Sequence, residues 1–488
     1  MKVMKKAIII ILSVFAAVSG ADAQALRSAY FMEGYNLRHQ LNPAFASERS
    51  YFSVALPGMD VSTSSNLGVN SFLFPSDGQL TTFMSSKVSA DKFLGNLKDV
   101  NRLNANIGTS LLSVGVRTDN AFWSFDMSMK ADVGVKVPYS LFDFMKNAGA
   151  AKMYDISNIS ARVNSYVEFA LGYSRQVADF LNVGARVKVL AGIVNTDMTV
   201  EKMKVQMTED KWSIESKGKL NVSAGFMDFK TKGETGAELD SPSDRNLLDF
   251  SDGVEMSEDA TAGSFINGFG AAIDLGAEIE VIPGLSVSLA INDLGFMSWK
   301  NTMKAETSGK GWSFDGFTDI SFDADKDNSL SKQFEDLGED LADMLDFERI
   351  EESGKKGGML AATLNVGAEY VMPFYCGLTA GILSSTRFNG PYTYAEGRLY
   401  ANLKPTDWFS FGVNYGVSNL GSSLGGVIGF HTSGFSMFVG ADSFCMDWAK
   451  AGNGMLYPYK KLNIGLNFGL TFNIGKRHVR SLSPLVNI

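Results

Sequence analysis

The run from Leu462 to Ile474, L-N-I-G-L-N-F-G-L-T-F-N-I, alternates without a slip. Leu462, Ile464, Leu466, Phe468, Leu470, Phe472 and Ile474 fall on one face of an extended chain. Asn463, Gly465, Asn467, Gly469, Thr471 and Asn473 fall on the other. A strand has a side-chain period of two, so one face is wholly apolar and the other small and polar. The run is about as long as the tilted strand that crosses a bilayer. In a soluble sheet the apolar face would be core. Here the same pattern recurs along most of the chain, with no helix-rich domain to cover it.

The beginning of the chain points to export. Met1-Lys2-Val3-Met4-Lys5-Lys6 is basic, residues 7–18 are apolar, and Ala21-Asp22-Ala23 offers small residues at a cleavage site. That is the layout of a secretory signal peptide, residues 1–23. No later stretch approaches eighteen consecutive apolar residues, which excludes helical spans. An exported chain rich in Gly and aromatics, with a mean hydropathy of 0.00, suits a barrel whose faces alternate between lipid and lumen. The net charge of -9 argues against nucleic acid. Three histidines, His39, His431 and His478, are too scattered for a zinc site.

Breaker-rich short turns at 118–120, 178–179, 283–284, 373–374, 405–407 and 432–434 alternate with longer connections. Strands are expected near 60–73, 104–117, 121–135, 161–176, 183–194, 264–282, 285–293, 358–371, 376–387, 393–403, 408–418, 423–431, 434–444 and 461–474. The expected fold is therefore all-β: a transmembrane antiparallel β-barrel of about fourteen strands, an even number as closure requires. Residues 198–224 read as a charged hairpin rising above the membrane; if they entered the wall, the count would be about sixteen. Residues 24–50 form an N-terminal plug segment, 51–475 the barrel and 476–488 a periplasmic tail.

Alternation also sorts lipid from lumen. Trp123, Phe125, Met127 and Met129 should face lipid, with Ser124, Asp126, Ser128, Lys130 and Asp132 inside. Arg162, Arg186 and Arg398 share that inward face with Glu168, Glu369 and Glu396, and Asp274, Glu278 and Glu280 do so on another strand. Phe122, Trp123, Phe180, Phe374, Tyr375, Trp408, Phe409 and Phe435 flank short turns and read as an interfacial girdle.

Two segments carry a resemblance. Residues 26–45, L-R-S-A-Y-F-M-E-G-Y-N-L-R-H-Q-L-N-P-A-F, look like the start of an uncharacterised outer-membrane barrel family of Bacteroidota. Ile291-Asn292-Asp293-Leu294-Gly295-Phe296, with Trp299 beyond, resembles that family's mid-chain signature. Asn42-Pro43-Ala44 is also similar to the N-terminal hatch turn of FadL-like transport barrels. That likeness implies a fourteen-stranded barrel in the outer membrane of a Gram-negative bacterium, with its N-terminal segment folded inside. It also implies a hydrophobic small molecule as ligand or cargo. The chain departs from the usual pattern by running on past Ile474 instead of ending on an aromatic residue.

Several constellations are candidates for function. Tyr30, Phe31, Tyr35 and Phe45, with Arg27, Glu33, Arg38 and Arg49, suit a lumen plug held by inward charges such as Asp274 or Glu278. Outer-loop helices are expected after Ser89, with Phe93, Leu94 and Leu97, and after Pro138, with Phe142, Phe144 and Met145. A third stripe runs through Phe334, Leu337 and Leu341. These apolar residues either offer a landing groove for a hydrophobic molecule or pack on one another. Asp323, Asp325 and Asp327 resemble the start of a calcium loop, although Phe334 stands at its last position. No nucleophile or metal spacing accompanies the inward carboxylates, so no enzyme is expected. No disulfide is expected between Cys376 and Cys445, which the strand plan puts about 30 Å apart. The alternative to small-molecule passage is a surface or assembly component that docks a protein partner, such as secretion machinery.

Overall fold

The computed structural model describes residues 26–76, 79–83, 85, 87–147, 153–207, 212–239, 241–250, 252–307, 347–444, 448–450, 456–458 and 463–478. The signal-peptide residues, the calcium-like loop, the Phe334 stripe and Cys445 lie outside them.

Fourteen antiparallel strands close on themselves. They are β1 (Ser50–Ser65), β2 (Val100–Arg117), β3 (Ala121–Pro138), β4 (Ile159–Ala178) and β5 (Leu181–Met207). Next come β6 (Gly268–Ile282), β7 (Leu285–Thr307), β8 (Ala362–Val371), β9 (Leu378–Phe388) and β10 (Tyr394–Thr406). The last are β11 (Phe409–Ser418), β12 (Gly421–His431), β13 (Phe435–Phe444) and β14 (Ile464–Ile474). Each pairs with its chain neighbour, and β14 completes the ring on β1, from Ser50↔Ile474 to Thr63↔Ile464. Closure leaves no edge, so every wall amide has a strand beside it.

Burial follows the alternation in reverse of a soluble protein. On β3, Trp123 and Phe125 are exposed to the outside while Ser124, Asp126 and Ser128 are buried. On β14, Leu466, Phe472 and Ile474 are exposed, and Asn467 and Thr471 are buried. Val187 and Val189 on β5, Leu275 on β6 and Leu399 on β10 are likewise exposed, against buried Arg186, Lys188, Asp274 and Arg398. An apolar outside around a charged inside is stable only in lipid. The protein is a transmembrane β-barrel.

One strand differs from the sequence reading. The first strand occupies Ser50–Ser65, about eight to ten residues earlier than 60–73. Its pairing slips between Val54 and Gly58, so Pro57, which reads as a breaker, sits in a bulge where a ladder bond is absent anyway. Residues 198–224 form the expected hairpin above the membrane, from Val194↔Ala224 to Met207↔Trp212. β5 continues to Met207, and the strand Trp212–Ala224 pairs with its upper part and with upper β7. That strand stands directly above β6, which fills the same gap between β5 and β7 lower down. Phe347–Met359 stands above β8 in the same way. The wall grows taller, and the count remains fourteen.

Phe122 is a further correction. Its ring points inward, 1% exposed, packed 5.5 Å from His39 and 6.4 Å from Tyr51. Trp123, Phe180, Phe374, Tyr375, Trp408 and Phe435 remain exposed beside the short turns.

A charge placed on the outer face tests the lipid assignment. Val187→Arg should cost about 2–4 kcal/mol and Val177→Arg, near the short-turn rim, about 0–1 kcal/mol. Urea titration of protein folded into lipid vesicles measures both.

Candidate functional site

The site is the lumen and the segment that fills it. Residues 26–49 fold inside the barrel as two 3-10 turns, Arg27–Ala29 and Asn36–Gln40, with the Asn42-Pro43-Ala44 turn after them. Tyr30 packs edge-on against Phe31 at 4.9 Å and Phe45 at 5.1 Å, and Tyr35 meets Phe438 of β13 at 4.5 Å. Leu383, Tyr400, Val427 and Phe438 complete this core from the wall. They are apolar residues at inward positions, where the barrel otherwise carries polar ones.

The hatch-like turn has a seat. Asn42 Oδ1 accepts the Ala44 N–H at 3.0 Å, which closes the turn on itself. Gly184 on β5 and Gly276 on β6 face each other across the ladder beneath it. A Cβ at Gly184 would lie 2.1 Å from the Pro43 carbonyl oxygen, and one at Gly276 2.1 Å from Asn42 Oδ1. Only a glycine pair admits the turn this close to the wall.

Polar bonds fix the rest of the plug at separate points on the wall. Asn292 of β7 and Asn365 of β8 both donate to the Leu41 carbonyl, at 2.8 and 3.2 Å. Asn36 donates to Thr471 at 2.7 Å and Asn473 at 2.9 Å on β14. At the other end, Asp442 of β13 accepts the backbone N–H groups of Arg27 and Ser28 at 3.1 and 2.6 Å. The Arg27 guanidinium bridges Asp442 and Glu396 at 3.3 and 3.1 Å, and Arg398 joins Glu396 at 3.0 Å.

A buried charge network faces the plug from β3 to β7. Arg186 bridges Asp126 at 2.9 Å and Asp274 at 2.8 Å. Lys188 reaches Asp274, Asp293 and Glu168, and Lys130 reaches Glu168 at 2.8 Å and Asp293 at 3.5 Å. Asp126, fully buried, also accepts Ser113 Oγ at 2.7 Å and Gln40 at 3.1 Å, and lies 2.9 Å from His39 Nε2. The plug therefore engages Asp126, Glu396 and Asp442. Asp274, expected as a plug partner, is held by wall cations instead.

The I-N-D-L-G-F signature now has a physical content. β7 bulges so that Asn292 and Asp293 together oppose Asp274, with Asp293 in the left-handed region at φ 58°. The bulge turns two consecutive side chains inward: Asn292 holds the plug, and Asp293 joins the charge network. The Asp293 N–H donates to Asp274 Oδ1 at 2.7 Å.

Hollows lie on both sides of the plug. The upper one, about 80 Å³, has Gln40 and Leu41 in its floor and Lys130, Asp132, Asn292 and Arg387 around it. The lower one, about 260 Å³, is lined by Ala44–Glu48, Arg38, Arg175, Glu278 and Glu369. Beside the upper hollow, Tyr166, Leu190, Met297, Trp299 and Leu360 make an apolar patch inside the barrel. Gly192 and Gly268 face each other there, and a Cβ on either would fall within 2.7 Å of the Trp299 ring. The indole lies flat on a second glycine pair.

The loop residues read as a landing groove are brought together, but with each other. Ser89 caps the helix α1 (Ala90–Leu94), and α2 spans Tyr139–Asn147. Phe93, Leu94, Leu97 and Phe142 pack in one buried cluster with Phe74 and Phe83, whose ring stacks on Phe93 at 4.3 Å. Phe144 belongs to another, with Tyr154 and Met203, and Met145 packs against both clusters. Among the described residues no group of three or more His, Cys, Asp or Glu side chains is placed to hold a metal ion.

Removing one carboxylate from the charge network leaves buried positive charge in excess. Asp126→Asn should cost about 3–5 kcal/mol, read as a lower temperature for the heat-modifiable shift on gels. Gly184→Ala should unseat the plug turn while leaving the barrel folded. Faster protease cleavage between Asn42 and Glu48 with an unchanged heat-modifiable shift is the expected result.

A search of curated proteins gave no match. Among solved structures, the CymD monoaromatic hydrocarbon channel is 12% identical, with 94% of this chain and 96% of that one covered and a TM-score of 0.40. The P. putida toluene transporter TodX is 10% identical, over 90% and 93%, at 0.39. A Pseudomonas aeruginosa FadL homologue is 11% identical, over 93% and 100%, at 0.38. A family model matches residues 43–442, from the plug turn to the aspartate that holds the start of the plug. The chain belongs to the family of unknown function DUF5723.

Proposed function

We propose that the protein is an outer-membrane barrel that binds a hydrophobic small molecule in its upper lumen and passes it when the plug shifts. The observation that carries this reading is the apolar patch of Tyr166, Leu190, Met297, Trp299 and Leu360 on the inside of the wall. A lumen filled only with water and ion pairs has no use for an indole, a thioether and a leucine at inward positions. The patch adjoins the upper hollow, so a molecule held there lies above the plug.

Two further features fit. The plug is held in the lumen by non-covalent contacts, aromatic packing on the wall and polar bonds, each neutral hydrogen bond having a net worth of about 0.5–1.5 kcal/mol, so it is displaceable without breaking the barrel. The loop residues Phe93, Phe142 and Phe144 are buried in their own clusters, whereas Tyr166 of the patch lines the upper hollow, so the holding site is set in the lumen and not in the loops.

The test is extraction of lipophilic molecules that co-purify in mild detergent. Met297→Glu places an unpaired carboxylate in the patch and should reduce the retained lipophile by about tenfold. Equal retention by the two proteins, or none by the unaltered one, removes the support for this reading. Trp299→Ala opens space on the glycine pair and should shift preference toward bulkier molecules, read by mass spectrometry of the extract.

A further inference from the structure

The short segment after β14 does not leave the barrel. Gly475, at φ 78°, reverses the chain, and Lys476–His478 run inward across the short-turn end. The Arg477 guanidinium grips the Glu48 carboxylate with two bonds, 2.6 Å from Nε and 3.0 Å from Nη2. Its third nitrogen donates to Asp407, in the β10–β11 turn, at 2.7 Å. The His478 N–H donates to the Glu48 carbonyl at 2.8 Å, and Arg49 donates to the Gly475 carbonyl at 2.9 Å. His478 also lies 3.8 Å from Asp119, in the β2–β3 turn. One strap thus ties the point where the plug leaves the lumen to two turns of the rim.

We propose that Lys476–His478 is a latch that keeps the plug shut from below, with Arg477 as the catch and Glu48 as the keeper. The idea rests on the reading that the plug moves during passage. Glu48 is the right place to hold. It lines both the hollow beneath the plug and a second one of about 340 Å³ beside Trp408 and His431. Arg477 lines the second hollow and His478 the first, so the strap runs between them. The plug's upper contacts are buried in the lumen, whereas this one stands partly in solvent, with Arg477 and Glu48 side chains each 18% exposed. Burial pushes the Glu48 carboxyl up, but the Arg477 bonds and the Lys404 and Arg477 charges outweigh it and hold it below its ordinary value. The keeper is therefore charged at neutral pH. A forked pair at a solvent boundary is specific in geometry and cheap to open, which is what a catch requires.

The test uses the full chain with Cys376→Ser and Cys445→Ser and one reporter, Ala46→Cys, in the wall of the lower hollow. Labelling by a bulky maleimide in mild detergent reads access to the plug. Arg477→Ala should speed labelling about tenfold, and Arg477→Lys, which keeps charge but loses the fork, should fall between. A second reporter, Ser385→Cys in the upper hollow, should label at an unchanged rate. Unchanged labelling at Ala46→Cys overturns the latch, as does equal acceleration at both reporters, which would mean a generally loosened barrel. Asp407→Asn, which leaves the Glu48 fork intact, guards against an Arg477 variant that fails to fold and should give a smaller acceleration. Faster labelling without any change in lipophile retention or uptake upholds the latch and counts against passage.

Discussion

In hydrocarbon no water is present to bond an unpaired amide, so each backbone group must find its partner within the protein. This requirement closes the wall, and closure at fourteen strands creates the problem that the rest of the molecule solves. A small barrel fills its interior with its own side chains, but one this wide does not. The space must hold water, charge or chain. Here it holds charge and chain. The inward charges neutralise one another from strand to strand, and residues 26–49 take up the centre.

The wall and the plug are matched in chemistry, position by position. Aromatic plug residues meet the inward apolar side chains Leu383, Tyr400, Val427 and Phe438. The backbone turn at Pro43 meets two glycines, and exposed plug carbonyls and amides meet Asn292, Asn365 and Asp442. Each departure from the simple polar-inside rule marks something the wall touches. By that logic the Trp299 patch, apolar at inward positions beside the upper hollow, marks a further contact of the wall.

Much of this was legible in the sequence because a lipid-facing strand cannot hide its period. Runs such as Trp123–Val135 and Leu466–Ile474 give both strand and facing, and the short turns give the strand count. Legibility failed where two rules compete. Pro57 looks like a breaker, and only the bulge in β1 makes it tolerable. Phe122 sits where a girdle residue belongs, yet the plug gives its ring an inward partner. Strand Trp212–Ala224 reads as one arm of a hairpin and is one, but nothing local reveals that it also pairs with upper β7. Lys188 and Asp442, which hold the charge network and the start of the plug, carry only the weak signal of a charge at an inward position. The loop residues Phe93 and Phe142 were recognisable as apolar helix faces, but periodicity does not say what an apolar face meets.

The spread of the plug's contacts has a consequence for how the molecule assembles. Ser28 bonds Asp442 across 414 residues, and Asn36 bonds Thr471 across 435. The plug thus waits for the last strands before it can settle. Contacts of such long sequence separation form late, after the entropy of closing the intervening chain has been met. The plug's glycine seat on β5 and β6 is complete when the chain is barely half laid down, but its tethers on β13 and β14 are not. A barrel that closed on the wrong register would offer Asn36 and Arg27 no partners. The N-terminal segment therefore reads out whether the two ends of the chain have met correctly, and its docking marks the completion of folding.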